Sequence, residues 1–345
     1  REEGEEGLDQ LIQVFLYGTI VLVGITYLGY LVATLGYDNS MVQIYASYPY
    51  LGTVMRAKGF TGGAGMLIIV LLLPTLYSWR KWREGVASGW WFVFLLPVAI
   101  LTFSKEILLL GLGLALVDPW FRRRGRRMQA LLVGAVAVIF WLGTHFIIQE
   151  RQAVADSSLA GTEYTSEKLL WRGDHYQILE TSYTALKEAS IAVASKYPIL
   201  GVGPGQFGRF LPAEKRAGTY PQHLPNYDPH STWLGALAET GIIGLFSLLG
   251  LSWLLYQRFA SLGYQANTAK HVTVPSPAVG GSERARERTS SNGTILSCLI
   301  FLLLILILSV SKDVANFRFL WLIIGGLLGL WEKKRLPLPQ ITDHG

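Results

Sequence analysis

A peptide backbone crosses a lipid bilayer only as a helix or as a closed barrel, because its N–H and C=O groups find no water there. That restriction governs this chain, which carries several apolar runs of bilayer length. LIQVFLYGTIVLVGITYLGYLVATLG (11–36) and WLGALAETGIIGLFSLLGLSWLLY (233–256) are two of them. A spanning helix needs about 20 mostly apolar residues, since the hydrocarbon layer is about 30 Å thick and a helix rises about 1.5 Å per residue. No period-2 alternation of the kind a barrel needs appears. The sequence therefore predicts an all-α polytopic integral membrane protein. Composition agrees: the chain is 51% hydrophobic and 16% charged, with a mean hydropathy of +0.34.

Eight spans are expected, at 9–36, 64–79, 90–103, 107–117, 128–148, 231–256, 294–310 and 317–331. The third and fourth are short, because Ser104-Lys105-Glu106 divides one apolar run. A charge at a helix centre in lipid costs roughly 2.5–3.5 kcal/mol, so two half-length helices with the charges at an aqueous end are the cheaper solution. The expected organisation is five membrane spans within 1–148, a large polar loop at 149–230, three spans within 231–335 and a tail at 336–345. Within the loop, Tyr176, Leu179, Tyr183, Leu186, Val193 and Tyr197 recur mostly every three or four residues. That spacing predicts an amphipathic helix, opened near Asp174 and Gln177 and stopped by Pro198. ILGVGPGQFG (199–208) reads as a tight turn that uses glycine at positive φ. Residues 261–292 are rich in Ser, Pro and Gly and are expected to form a mobile connection.

Charge sets the expected orientation. WRKWRE (79–84), FRRRGRR (121–127), ERARER (283–288) and EKKR (332–335) fall on one side of the predicted spans. The positive-inside rule puts that side, and both chain ends, in the cytoplasm and the 149–230 loop outside it. The net charge of +6 is thereby explained without nucleic acid. The opening REEGEEG lacks the basic and apolar regions of a signal peptide, and the chain is read as starting inside a longer protein. The single cysteine, Cys298, permits no intrachain disulfide. No Cys/His group has zinc spacing, no phosphate loop of the GxxxxGK[ST] kind occurs, and no acidic pair suited to a metal-bound nucleotide stands outside the spans, so neither metal nor cofactor is expected.

Four residues stand out as candidates. His230 ends a polar run just before the sixth span, where an imidazole can accept a proton from a hydroxyl; an interfacial or capping histidine is the plainer reading. Arg172, in WRGD (171–174), offers a planar fork of donors to phosphate. Lys105 and Arg56 fall in short loops on the same side, where cations can share an anionic ligand or simply reach toward headgroups. Glu239 lies nine residues after His230, on nearly the opposite helical face. Its expected role is packing or backbone capping beside Gly241.

Several of these segments together resemble the O-antigen ligase and polymerase superfamily. The resemblance rests on YPILGVGPGQFGRFLP (197–212) followed by HSTWLGALAETGIIGLF (230–246), with LTFSKEILLLGLGLAL (101–116) and MRAKGFTGGAG (55–65) as weaker matches. Members have about a dozen membrane helices with both ends cytoplasmic and a large periplasmic loop before the tenth. If the sixth span here is that helix, four spans precede residue 1. The resemblance implies a metal-independent, inverting glycosyltransferase of the bacterial inner membrane. Such an enzyme moves a glycan from an undecaprenyl-pyrophosphate carrier to a hydroxyl of a glycan, lipid A core or protein acceptor at the outer face. It implies His230 as the base, with Lys105, Arg56 and, more loosely, Arg172 on the pyrophosphate. Three positions depart from the family pattern: Lys105 stands where arginine is usual, Ser231 where asparagine is common, and Gly65 near the place of another asparagine. An anion permease and a non-catalytic scaffold of a polysaccharide assembly complex are the competing readings.

Overall fold

The computed structural model describes residues 2–48, 51–118, 125–150, 168–222, 224–268, 281–310, 312 and 318–333. The tail at 336–345, the stretch 269–280 of the expected mobile connection and residues 151–167 of the polar loop lie outside them. Ten α-helices occur among the described residues: α1 Glu2–Thr34, α2 Ala64–Arg83, α3 Trp91–Leu101, α4 Ile107–Val117, α5 Arg126–His145, α6 Ser182–Lys196, α7 Phe207–Ala217, α8 Thr232–Thr268, α9 Gly281–Ser309 and α10 Arg318–Lys333. Four helical segments are long and apolar enough to cross a membrane: Gly7–Thr34, Ala64–Arg83, Arg127–His145 and Thr232–Gln257. Trp91–Leu101, Ile107–Val117 and Thr294–Ser309 are apolar but shorter. The protein is thus a mostly helical, membrane-embedded chain.

The chain is not all-α. Val42–Tyr48 (β1) and Gly52–Ala57 (β2) form an antiparallel hairpin, which places Arg56 on a strand. Phe146–Glu150 (β3), Lys168–Arg172 (β4) and Tyr176–Glu180 (β5) form a sheet of order β3-β5-β4. The amphipathic helix therefore begins at Ser182 and not near Asp174. The run Tyr176–Glu180 alternates intermediate and buried positions with period 2 and pairs on both edges, and ladder hydrogen bonds override a weak helical spacing. Within the expected mobile connection, residues 261–268 continue α8 and 281–292 open α9.

The membrane core packs α2 against α1, α3, α4 and α9. Leu67, Leu71, Leu76, Leu95, Leu112 and Phe301 are among its fully or nearly fully buried side chains. Gly113 lets α4 approach closely, since a Cβ there would fall 2.8 Å from Leu304 and 2.9 Å from Leu76. At the end of α2 remote from Ala64, Asp9 of α1 accepts hydrogen bonds from Tyr77 (3.0 Å) and Thr294 (2.8 Å) and pairs with Lys81 at 3.2 Å. Three helices are latched there by one carboxylate, as polar groups at a helix interface require when no water is at hand. A second core joins α6, α7 and the first turns of α8 through Leu186, Val193, Phe207, Leu211, Tyr220 and Ala238.

Candidate functional site

The site forms where several elements end together. α3 stops at Leu101 and α4 starts at Ile107, and the link between them turns through Phe103, whose φ of 45° is the only positive value at a non-glycine among the described residues. Such a backbone is strained and persists only where its surroundings fix it. Here Arg56 Nε donates to the Thr102 carbonyl at 2.9 Å, a cation set against the C-terminus of α3. Glu106 sits at the N-cap of α4, where the helix dipole favours an anion, and is 2% exposed. Its carboxylate accepts hydrogen bonds from Ser104 Oγ and from Lys312 Nζ, the latter at 2.7 Å. Gly65 backs this pair: a Cβ added there would fall 2.8 Å from both the Glu106 carboxylate and Lys312 Nζ.

Lys105 points from the same link to the end of α5, where its Nζ donates to the Gly143 carbonyl at 3.0 Å. That carbonyl belongs to the last turn of a helix, a natural place for a cation. Lys105 Nζ also lies 5.0 Å from the centre of the Tyr183 ring. The opposite neighbour of Tyr183 is His230, ring centre to ring centre 4.7 Å, and Tyr227 flanks the imidazole at 5.9 Å. Lys105, Tyr183 and His230 therefore follow one another across the site. One turn along α6, Lys187 Nζ contacts His145 Nε2 at 3.0 Å. His145 Nδ1 faces the Trp141 carbonyl at 2.8 Å, so the proton belongs on Nδ1 and Nε2 accepts from the lysine. The start of α8 meets Lys312 and the end of α9: Thr232 Oγ1 donates to the Lys312 carbonyl at 3.1 Å, and Trp233 Nε1 to Ser309 Oγ at 2.8 Å. The start of the His230-bearing helix is tied in this way to the same lysine that pairs with Glu106.

Electrostatics follow from this crowding. Burial pushes the Lys105 ammonium down to about 8; the Glu106 carboxylate supports it, and Lys312, Arg56 and Lys187 oppose it. Burial likewise pushes His230 down to about 4, helped by Lys312 and Lys105 and resisted by Asp228. Glu106 is held well below the usual carboxylate range: burial acts against the charge, but Lys312, Lys105 and the Ser104 hydroxyl outweigh it. Two cations, Lys312 and Lys105, thus act on both a buried carboxylate and the His230 imidazole, with Arg56 and Lys187 acting on Lys105.

Of the residues singled out from the sequence, Arg56, Lys105 and His230 meet here. Arg172 stands apart. It is exposed at the end of β4 and pairs in register with Gln177. Glu180, three residues along β5, pairs with Phe146 at the foot of the sheet, beside His145. Three strand residues at about 3.3 Å each carry Arg172 about 10 Å from that foot. Lys187, Lys312, Glu106 and Tyr183 had not been assigned to the site. Their sequence signal was faint: Tyr183 and Lys187 are four apart on one helix and so share a face, whereas nothing local connects Lys312 to Glu106. Glu239 behaves as its spacing suggested, reaching the Phe207 N–H at the start of α7 (3.4 Å) and not His230. No group of three or more metal-ligating side chains occurs among the described residues.

Residues 90–249 match a protein family described as O-antigen ligase. The match spans the α3–α4 link, α6 and the first half of α8, which carry Lys105, Tyr183, Lys187 and His230. A comparison with curated proteins finds no match.

Proposed function

We infer, from the site geometry and from the match of residues 90–249 to a family described as O-antigen ligase, that this site transfers a glycan from a polyprenyl-pyrophosphate carrier to an acceptor hydroxyl at the outer face of the bacterial inner membrane. The observation that carries the reading is the neutral imidazole of His230 set, through Tyr183, beside a cation cluster at helix ends. The diphosphate binds to Lys105, Lys312 and Arg56, with Lys187 in the place that the resemblance gave, loosely, to Arg172. The acceptor oxygen attacks the anomeric carbon from the face opposite the pyrophosphate. The new C–O bond forms as the bond to the pyrophosphate breaks, and the bonding pair leaves with the carrier. The acceptor proton passes to a ring nitrogen of His230. Charge on the leaving diphosphate grows along this path, so fixed cations stabilise the transition state more than the ground state. Chemistry of this kind needs no metal, because the leaving group is already activated.

The test is transfer of carrier-linked glycan in proteoliposomes. His230→Ala is expected to lower kcat by 10²–10⁴-fold, the range typical of a lost general base. Lys187→Ala is expected to raise KM for the donor more than Arg172→Ala does. Near-normal turnover by a folded His230→Ala protein refutes the role of base. Equal, small effects of the two cation variants refute the assignment of Lys187.

A further inference from the structure

We propose that the turn Tyr197–Leu200 is embedded among the acyl chains of the bilayer leaflet at the site end, and that α8 is interrupted to receive it. The interruption is at Gly241, where φ is 67° and ψ −165°. It comes nine residues after Thr232, about 13 Å of helix farther on. A break inside an apolar span leaves backbone N–H and C=O groups without partners, which lipid cannot supply. The turn supplies them. Ile242 N donates to the Pro198 carbonyl at 2.8 Å, Gly203 N to the Glu239 carbonyl at 2.8 Å, and Val202 N to the Ala238 carbonyl at 3.0 Å.

The fit is backbone against backbone. A Cβ at Gly241 would fall 2.1 Å from the Ile199 oxygen, and one at Gly201 would fall 2.3 Å from the Glu239 carbonyl carbon. Both glycines also have positive φ, as does Gly203, so no other residue type suits this clasp. The clasped turn then presents an apolar tip: Ile199 is 62% exposed and Leu200 72%, with Tyr197 and Pro198 exposed beside them. Of the residues that build water-facing turns, Gly, Pro, Asn, Asp and Ser, this tip has Pro198 alone, and its other three side chains are large and apolar or aromatic. Its neighbours on α8 beyond the break, Ile242, Ile243 and Phe246, are also exposed and belong to a candidate membrane span. The tip therefore continues a lipid-facing surface, and acyl chains are the occupant that covers both. This placement does not depend on the chemistry proposed for His230.

The experiment is a depth measurement on the full chain. Leu200→Cys is made in a Cys298→Ser background, labelled with bimane and reconstituted in phosphatidylcholine vesicles. Arg216→Cys, on the exposed face of α7, is the aqueous control. Phosphatidylcholine brominated on its acyl chains is expected to remove most of the fluorescence at 200 and little at 216. Aqueous iodide is expected to do the reverse. Iodide quenching at 200 equal to that at 216, without bromolipid quenching, overturns the proposal. So does protection from both quenchers that is lost on dilution into excess lipid, which identifies a second copy of the chain as the occupant.

Discussion

The Glu106–Lys312 pair is the most consequential contact in the site that sequence alone did not disclose, and its removal has a calculable effect. The two charges lie 2.7 Å apart, with the carboxylate 2% and the lysine side chain 15% exposed. At an effective dielectric of about 20 their attraction is about 6 kcal/mol, most of which offsets the loss of hydration. Breaking such a pair from one side is a different matter, because the surviving charge stays buried without its partner. Glu106→Gln leaves Lys312 and Lys105 facing each other with no anion between them. Lys312→Met leaves the carboxylate with the Ser104 hydroxyl as its remaining direct partner. Each single change is expected to destabilise the fold by about 3–5 kcal/mol, whereas the double change removes both charges and is expected to cost about 3 kcal/mol less than the sum. Denaturant unfolding of detergent-solubilised protein, followed by tryptophan fluorescence, measures all three variants. Additivity within about 0.5 kcal/mol refutes the argument, since side chains that do not touch behave in that way.

Two other outcomes follow from the same geometry. His230 works as a base when neutral, and it is neutral above about 4; Lys105 holds phosphate when charged, and it is charged below about 8. A profile of kcat/KM against pH is therefore expected to be flat between these values, falling as pH drops through about 4 and as it rises through about 8, and Lys105→Arg is expected to move the upper limb to higher pH. Gly65→Ala is expected to lower donor affinity and thermal stability together, because its Cβ would fall 2.8 Å from both members of the Glu106–Lys312 pair; an unchanged KM and melting temperature in the same transfer and unfolding assays would show that the pair yields without consequence.

What was readable in the sequence follows the range over which each force acts. The bilayer imposes its demand over every 20 or so residues, so four helices of spanning length, though not all eight expected spans, the α3–α4 division and the place of His230 before α8 were legible. The glycines of ILGVGPGQFG announced positive φ, and Gly201, Gly203 and Gly205 have it. The strands were not legible, because β5 is only five residues long and is held on one edge by β3, which lies well before it in the chain, as well as by the neighbouring β4. Arg172 was read from residue type and neighbourhood in sequence, and the sheet that carries it away from His145 was invisible at that level. Lys312 illustrates the same limit from the other side. It follows Glu106 by more than two hundred residues, and only the packing of α9 against α2 and α4 brings them together.

One consequence concerns the strength of the base. An imidazole whose conjugate acid has a pKa of about 4 is a feeble proton acceptor, and a general base works best when its pKa lies near the working pH. After burial, Lys312 and Lys105 are the groups that hold His230 down. They are also cations of the proposed diphosphate site. Binding the dianionic donor sets negative charge against both lysines, so the depression they cause is relieved in the complex and His230 gains basicity only when there is a glycan to transfer. The free protein then carries an imidazole too weak to activate water, which limits hydrolysis of a costly carrier. The signature is kinetic. The acid limb of kcat, which reports the donor complex, is expected at higher pH than the acid limb of kcat/KM, which reports the free enzyme. Coincident acid limbs would mean that the donor's charge does not reach His230, and that the cation cluster and the base act independently.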